Sequence, residues 1–376
     1  MKSFSLLIFF VALSSTYASV AKIESRLQTS SLIERAIPSE AFDAIVAAAP
    51  AKAAVKAVND FAKFAGPLKL VGLFTLWYAF NAGYNVYNSF MKADLQKPWF
   101  ISTVQLLVGL LYAAPLWATG LRALPKLTTE DIKLLLPIAA LNAFGHAAAV
   151  CAMFEVGGGS FTHVIKASEP VVSVILNGFI NRIVPKPLTA VSLLPITYGV
   201  AYASTLGKLN AATMSKELTT KAAKMAMFSN IAFSLRSILR KNLPKDFQSR
   251  TNLDPKNEMA VTTLLSFLLM IPVVLAFESP SSIIQNYNSI ANKKAFAINT
   301  LVCGMCFYLY NELQNQVLGS LGAVPTAVGN TLKRVVIFVA LYYFTKGETF
   351  PPEKVLGCAI AIAGCLGFAI FDSKKM

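Results

Sequence analysis

Thr331-Leu332-Lys333-Arg334-Val335-Val336-Ile337-Phe338-Val339-Ala340-Leu341 sets two adjacent cations inside an apolar stretch that runs from Val324 to Phe344. A bilayer-spanning helix needs about 20 residues, and this stretch has that length. A cation at the centre of such a helix costs about 2.5–3.5 kcal/mol. Such a pair persists only where water, a counter-charge or a ligand meets it. The rest of the chain reads the same way. Of its 376 residues, 55% are apolar and 14% are charged, against about 25% charged in a soluble domain. This excludes an ordinary soluble enzyme, a disordered chain and a disulfide scaffold. It predicts an all-α polytopic membrane protein with about ten transmembrane helices.

Hydropathy and punctuation place candidate spans at about 68–91, 99–119, 131–154, 160–181, 188–205, 219–239, 261–277, 295–318, 324–344 and 355–371. They fall into two sets of five with weak internal similarity. The fourth and ninth each follow a glycine-containing break and each carry a lysine, Lys166 or Lys333. The first and sixth carry polar residues, Asn81, Asn85 and Asn88 in one and Asn230, Ser234 and Arg236 in the other. Paired interrupted segments in matching halves point to the central site of a carrier. The expected organisation is a signal peptide at 1–18, a targeting leader or polar tail at 19–67, helical halves at 68–205 and 206–371, and a polar end at 372–376.

Lys166, Arg236, Lys333 and Arg334 all lie in or near spans, and together cost on the order of 10 kcal/mol if unpaired. The acids available within the spans, Glu169 and Glu312, cannot neutralise four cations. A surplus of positive charge remains for something that binds. Phosphate is the plainest dianion: arginine clasps it with parallel hydrogen bonds and lysine supplies a compact charge. His146 in mid-span and Tyr310 are further candidate contacts. Each also has a structural reading: Arg236 snorkelling from a helix end, His146 bonding across helices, Tyr310 packing as an aromatic. His163 reads as a structural hydrogen-bond donor, and Glu169 as the partner of a local base.

Lys plus Arg total 34 and Asp plus Glu total 19, a net charge of +15. In a membrane chain this excess decorates loops and helix ends beside anionic lipid, and nucleic acid is not expected as a partner. The five cysteines fall in apolar stretches and suggest neither a disulfide framework nor a metal site. No cofactor is expected. At the N-terminus, Lys2 precedes the apolar run Leu6 to Leu13 and a small-residue exit at Thr16 and Ala18, the pattern of a secretory signal peptide. Residues 47–64 read as a basic amphipathic helix. A signal peptide followed by such a leader suggests two-step targeting to a complex plastid with extra membranes, the endomembrane system being the alternative.

Ser160-Phe161-Thr162-His163-Val164-Ile165-Lys166-Ala167-Ser168-Glu169-Pro170 resembles a signature of the plastid phosphate translocators, and Val328-Gly329-Asn330-Thr331-Leu332-Lys333-Arg334-Val335 resembles their second. Tyr308-Leu309-Tyr310-Asn311, Ser229-Asn230 and Phe233 to Ser237 are similar to further parts of that family. The resemblance covers about 68–371. It implies the drug/metabolite-transporter fold, with ten helices in two inverted halves, and exchange of inorganic phosphate for phosphorylated C3, C5 or C6 compounds by alternating access. It further implies that Lys166, Lys333 and Arg334 hold the phosphate, while Arg236, Tyr310 and His146 contact the rest of the substrate. Triose phosphate or 3-phosphoglycerate is the first expectation, phosphoenolpyruvate or a sugar phosphate the second, and a nucleotide sugar less favoured. Ala147, Ala148 and Ala149 depart from the hydroxyl residues of triose-phosphate members, and Pro325-Thr326-Ala327 departs from their Thr-His-Ala. A membrane enzyme acting on phosphate esters is not expected, since only two histidines and no acidic cluster lie in the spans.

Overall fold

The computed structural model describes residues 49–155, 159–182, 184–206, 216–244, 246–321, 323–345 and 351–373. The expected signal peptide and most of the expected leader lie outside the described residues. Among the described residues every regular element is a helix. They are α1 (Ala49–Asp94), α2 (Pro98–Ala118), α3 (Thr129–Glu155), α4 (Gly159–Lys166), α5 (Glu169–Asn181), α6 (Pro187–Leu206) and α7 (Lys216–Lys241). After these come α8 (Phe247–Thr251), α9 (Pro255–Phe277), α10 (Pro280–Asn288), α11 (Lys293–Leu321), α12 (Ala323–Phe344) and α13 (Pro352–Ser373). The chain divides into two units, 1–79 and 80–376. In the first, Phe74, Trp77 and Tyr78 form an aromatic cluster with ring centroids 5.5–5.9 Å apart. The second carries the remaining elements.

Two expectations are refined. The stretch read as a separate leader helix is continuous from Ala49 with the helix ending at Asp94. The fourth candidate span is two helices, α4 and α5, rather than one. The helices α2, α3 and α9 are long and apolar enough to cross a membrane, and α6 and α13 carry shorter apolar stretches. Exposed apolar stripes recur at helical spacing: Val191, Leu194 and Tyr198 on α6, and Leu268, Ile271 and Leu275 on α9. A helix with an apolar outer face as well as an apolar inner one is suited to lipid rather than water.

The most extensive pairings are α6 with α13 and α3 with α7. On the first, a Cβ added at Gly199 would stand 2.5 Å from the Ala361 nitrogen and 2.6 Å from the Gly357 oxygen. Gly199 with Ala203, and Gly357 with Ala361, are small residues four apart, the spacing that lets helix backbones touch where lipid supplies no hydrophobic drive. Ile196, Val200, Ala203, Cys358, Ala361 and Cys365 form one core here with Val164 and Ile165 of α4. That core fixes the helix that carries Lys166.

Helix ends are capped and tied by charge at one end of the bundle. Thr128 and Asp131 form a capping box on α3, with Thr128 N donating to Asp131 Oδ2 at 2.9 Å and Asp131 N to Thr128 Oγ1 at 3.3 Å. Arg250 forks onto the same carboxylate at 2.7 and 3.0 Å. Asp254 caps α9, accepting from Asn257 N at 2.8 Å ahead of Pro255. Arg122 grips Glu312 through one nitrogen at 3.0 and 3.1 Å, and Arg240 pairs with buried Glu258.

Candidate functional site

The break between α4 and α5 originates in Pro170. Proline has no N–H, and its ring crowds the carbonyl four residues back, which is that of Lys166. The helix stops at Lys166 and restarts at Glu169. Proline deprives one carbonyl of its helical donor, Lys166 O, and that carbonyl finds a partner on another helix, whereas His163 O and Ile165 O keep backbone donors in Ala167 N at 3.1 Å and Ser168 N at 3.0 Å. Lys166 O accepts from Arg334 Nη2 at 2.8 Å, and His163 O lies 3.5 Å from Arg334 Nη1. Ile165 O accepts from Asn230 Nδ2 at 3.1 Å and from Ser168 Oγ at 2.7 Å. A buried carbonyl left unpaired costs about 1–3 kcal/mol, so Arg334 of α12 holds this end of α4 through Lys166 O, and Asn230 of α7 adds a further bond to Ile165 O.

Around the break stand the other sequence-derived candidates. Lys166 Nζ donates to Ser229 Oγ at 2.8 Å, and Ser229 Oγ donates in turn to Gly145 O at 2.7 Å. That relay requires α3 and α7 to come close at Gly145, where an added Cβ would meet Ala232 Cβ at 3.1 Å and the Phe233 ring at 3.2 Å. Arg236 Nη1 donates to Asn142 Oδ1 at 2.5 Å. Lys166 and Arg236 both lie against the Phe233 ring, 4.8 and 4.9 Å from its centroid, so the π-face offsets part of the cost of two neighbouring cations. Lys333 Nζ reaches Gln314 Oε1 at 3.4 Å and sits 5.7 Å from the Tyr310 ring centroid.

Tyr84, Phe307 and Tyr310 form an aromatic wall with centroids 5.4–5.8 Å apart. His146 stacks on Phe307 at 3.9 Å and is buried, and its Nε2 has no hydrogen-bond partner among the described residues. Among the described residues the same holds for Thr162 Oγ1 and Asn230 Oδ1 beside the break, so polar groups without protein partners gather around this region. His163 has the structural part read from its position. Asn85 Nδ2 is committed to Asn81 O at 2.8 Å, so Asn85 Oδ1 faces His163 Nε2 at 2.6 Å and accepts from it.

All six candidates, His146, Lys166, Arg236, Tyr310, Lys333 and Arg334, line one cavity of about 100 Å³. A single water needs roughly 10–15 Å³ on the same scale, so the space suits a small polar ligand rather than a nucleotide. Four cations and one carboxylate, Glu169, line it, a net of three positive charges. Such a lining is suited to a compact multivalent anion. Among the described residues no group of His, Cys, Asp and Glu is placed to hold a metal ion.

Sequence reasoning did not find every participant. Glu312 is turned to Arg122, leaving Glu169 as the acid beside the cations. Asn142 and Gln314 escaped notice because isolated amides in a span give no pattern until their partners are known. The three-alanine departure narrows to one position, since Ala149 lines the cavity and Ala147 and Ala148 do not.

A model of the Triose-phosphate Transporter family matches residues 68–369. Phosphoenolpyruvate/phosphate translocator 1, chloroplastic, of Oryza sativa subsp. japonica is 33% identical over 301 residues, 79% of this chain and 70% of the relative. Xylulose 5-phosphate/phosphate translocator, chloroplastic, of Arabidopsis thaliana is 32% identical over 83% of this chain and 72% of the relative. Triose phosphate/phosphate translocator, non-green plastid, chloroplastic, of Brassica oleracea var. botrytis is 31% identical over 79% of this chain and 71% of the relative. A solved structure described as "Crystal structure of protein" shares the fold, with a TM-score of 0.50 and 13% identity over 80% of this chain and 97% of that one. With the match extending over nearly the whole helical region, the chain belongs to the Triose-phosphate Transporter family.

Proposed function

We propose that this chain is an antiporter that exchanges inorganic phosphate for a small phosphorylated metabolite across a plastid membrane. The observation that carries this reading is that four cations and one acid line one and the same cavity. Lys166 and Lys333 supply the compact charges for the phosphoryl group, with Arg334 set behind them at the α4–α5 break. Arg236, Tyr310 and His146, which line the same cavity, contact the remainder of the substrate. Chloroplast relatives named for three different phosphate esters support the exchange reaction and the plastid membrane. A complex plastid is the compartment that a signal peptide and leader would serve.

The crossings number ten in this reading, with α4 and α5 together forming the fourth, in two inverted five-helix halves. The cations repel one another while the site is empty and hold it open. A phosphate dianion neutralises most of that charge and draws the halves together, so closure follows occupancy and the empty carrier seldom switches. A ligand shifts such an equilibrium only by binding the closed state more tightly than the open one.

Triose phosphate or 3-phosphoglycerate is the first choice of organic substrate, supported by the resemblance of the two signatures and by a relative named for triose phosphate. Phosphoenolpyruvate is the second reading. Ala149 supports it, since a methyl group stands in the cavity wall where a hydroxyl would favour a hydroxylated carbon skeleton. Purified protein in liposomes loaded with triose phosphate, 3-phosphoglycerate, phosphoenolpyruvate or glucose 6-phosphate tests this. Fastest entry of labelled phosphate against triose phosphate or 3-phosphoglycerate supports the first choice. Fastest entry against phosphoenolpyruvate replaces it with the second, and fastest entry against glucose 6-phosphate contradicts both.

A further inference from the structure

An anion carrier has to let its substrate go, and a pocket of unopposed cations does not. Glu169 is the carboxylate among the residues that line the cavity. It occupies the first turn of α5, where the helix dipole favours a negative charge. Its Oε2 lies 3.4 Å from Arg334 Nη2, longer than the roughly 2.7–2.9 Å of a strong charge-assisted bond. The same Arg334 nitrogen makes its close contact, 2.8 Å, with Lys166 O. Glu169 is thus loosely held by Arg334, and its side chain is 37% exposed where that of Arg334 is 10% exposed.

We propose that Glu169 is a resident counter-anion that weakens substrate binding and speeds release. In the empty site it opposes one of the four cations. When a phosphate dianion enters, its oxygens take over the cations, and Glu169 faces a like charge that favours the next departure. With Glu169 the occupied cavity carries a net of one positive charge, and without it two. A carrier gains turnover by holding its cargo less tightly, so this acid is a functional member of a site otherwise built to attract anions. The inference rests on reading the cavity as the anion site.

Glu169→Gln removes the charge and nearly preserves the shape. In proteoliposomes loaded with phosphate, the expected result is a half-saturating external phosphate concentration about tenfold lower, from the loss of one like charge within several ångströms. The maximal exchange rate falls with it, because release slows. Glu169→Ala carries the same expectation and serves if the glutamine variant does not reconstitute. A residue that only anchors Arg334 predicts the opposite, since its loss loosens the site and raises the half-saturating concentration. An unchanged or raised value in these variants, with normal exchange by the unaltered protein, overturns the counter-anion role alone. Absence of phosphate exchange by the unaltered protein overturns the antiporter reading and this inference together.

Discussion

Replacing Arg334 by lysine keeps the charge of the site and removes the fork that holds α4. Arg334 Nη2 bonds Lys166 O at 2.8 Å, and its second nitrogen lies 3.5 Å from His163 O. Lysine has one nitrogen and a flexible stem, so it cannot reproduce that planar arrangement. The loss of one good bond from a charged donor to a buried carbonyl is about 1.5–3 kcal/mol. Domains of about 150–250 residues lose roughly 2–4 °C of Tm per kcal/mol. Arg334→Lys is therefore expected to lower Tm in detergent by ~3–12 °C. The cause assigned to the break makes the test sharper. Pro170→Ala restores an N–H that can bond Lys166 O within the helix, so Arg334→Lys costs less in that background. A combined loss smaller than the sum of the single losses, by about 0.5–3 kcal/mol, is the expected result of the double-mutant cycle. Strictly additive losses, or no change in Tm on Arg334→Lys, would refute the argument that Arg334 serves the carbonyl freed by proline.

Lys166→Ala is expected to reduce phosphate exchange at least ~100-fold, the loss of about 3 kcal/mol of charge-assisted binding at the ligand; near-normal exchange in liposomes would remove its assigned role. Arg122→Ala strands the buried Glu312 carboxylate, held at 3.0 and 3.1 Å. It should cost about 3–5 kcal/mol, whereas Arg122→Ala combined with Glu312→Gln should cost less; equal destabilisation by thermal unfolding would contradict the pairing. Gly199→Leu forces atoms into the backbone of α13, where even a Cβ would stand at 2.5 Å, and should lower stability by at least about 1–3 kcal/mol. Gly72→Ala, with nothing within 4 Å of the added Cβ, should leave Tm unchanged or raise it slightly, because alanine is the better helix former by about 1 kcal/mol.

The order of the helices was legible because long apolar stretches are punctuated by Pro, Gly or charged residues, and α2, α3 and α9 are long and apolar enough to cross a membrane. Five of the six candidates that line the cavity stood out for the complementary reason, that a cation or imidazole in an apolar stretch has to be explained, and Tyr310 stood out through its motif. What the sequence concealed was pairing. Nothing in the linear order says that Arg122 takes Glu312 from 190 positions away, or that Arg334 serves a carbonyl as well as a cavity. Pro170 was in view throughout, yet its consequence depends on whether a neighbouring helix can satisfy Lys166 O, which is a property of the tertiary fold. The continuity of α1 from Ala49 was hidden by composition, because the polar residues Lys52, Lys56 and Lys63 read as a leader while remaining compatible with one long helix. Gln314 and Asn142 became meaningful only through Lys333 and Arg236.

The central claim is that a cavity of net positive charge couples closure to an anion, so that transport is exchange. The most direct measurement is entry of labelled phosphate into vesicles containing the purified protein, with and without phosphate inside. The account predicts rapid entry into loaded vesicles and almost none into empty ones. Equal entry into both would contradict it, because the empty carrier would then return freely despite its unneutralised cations.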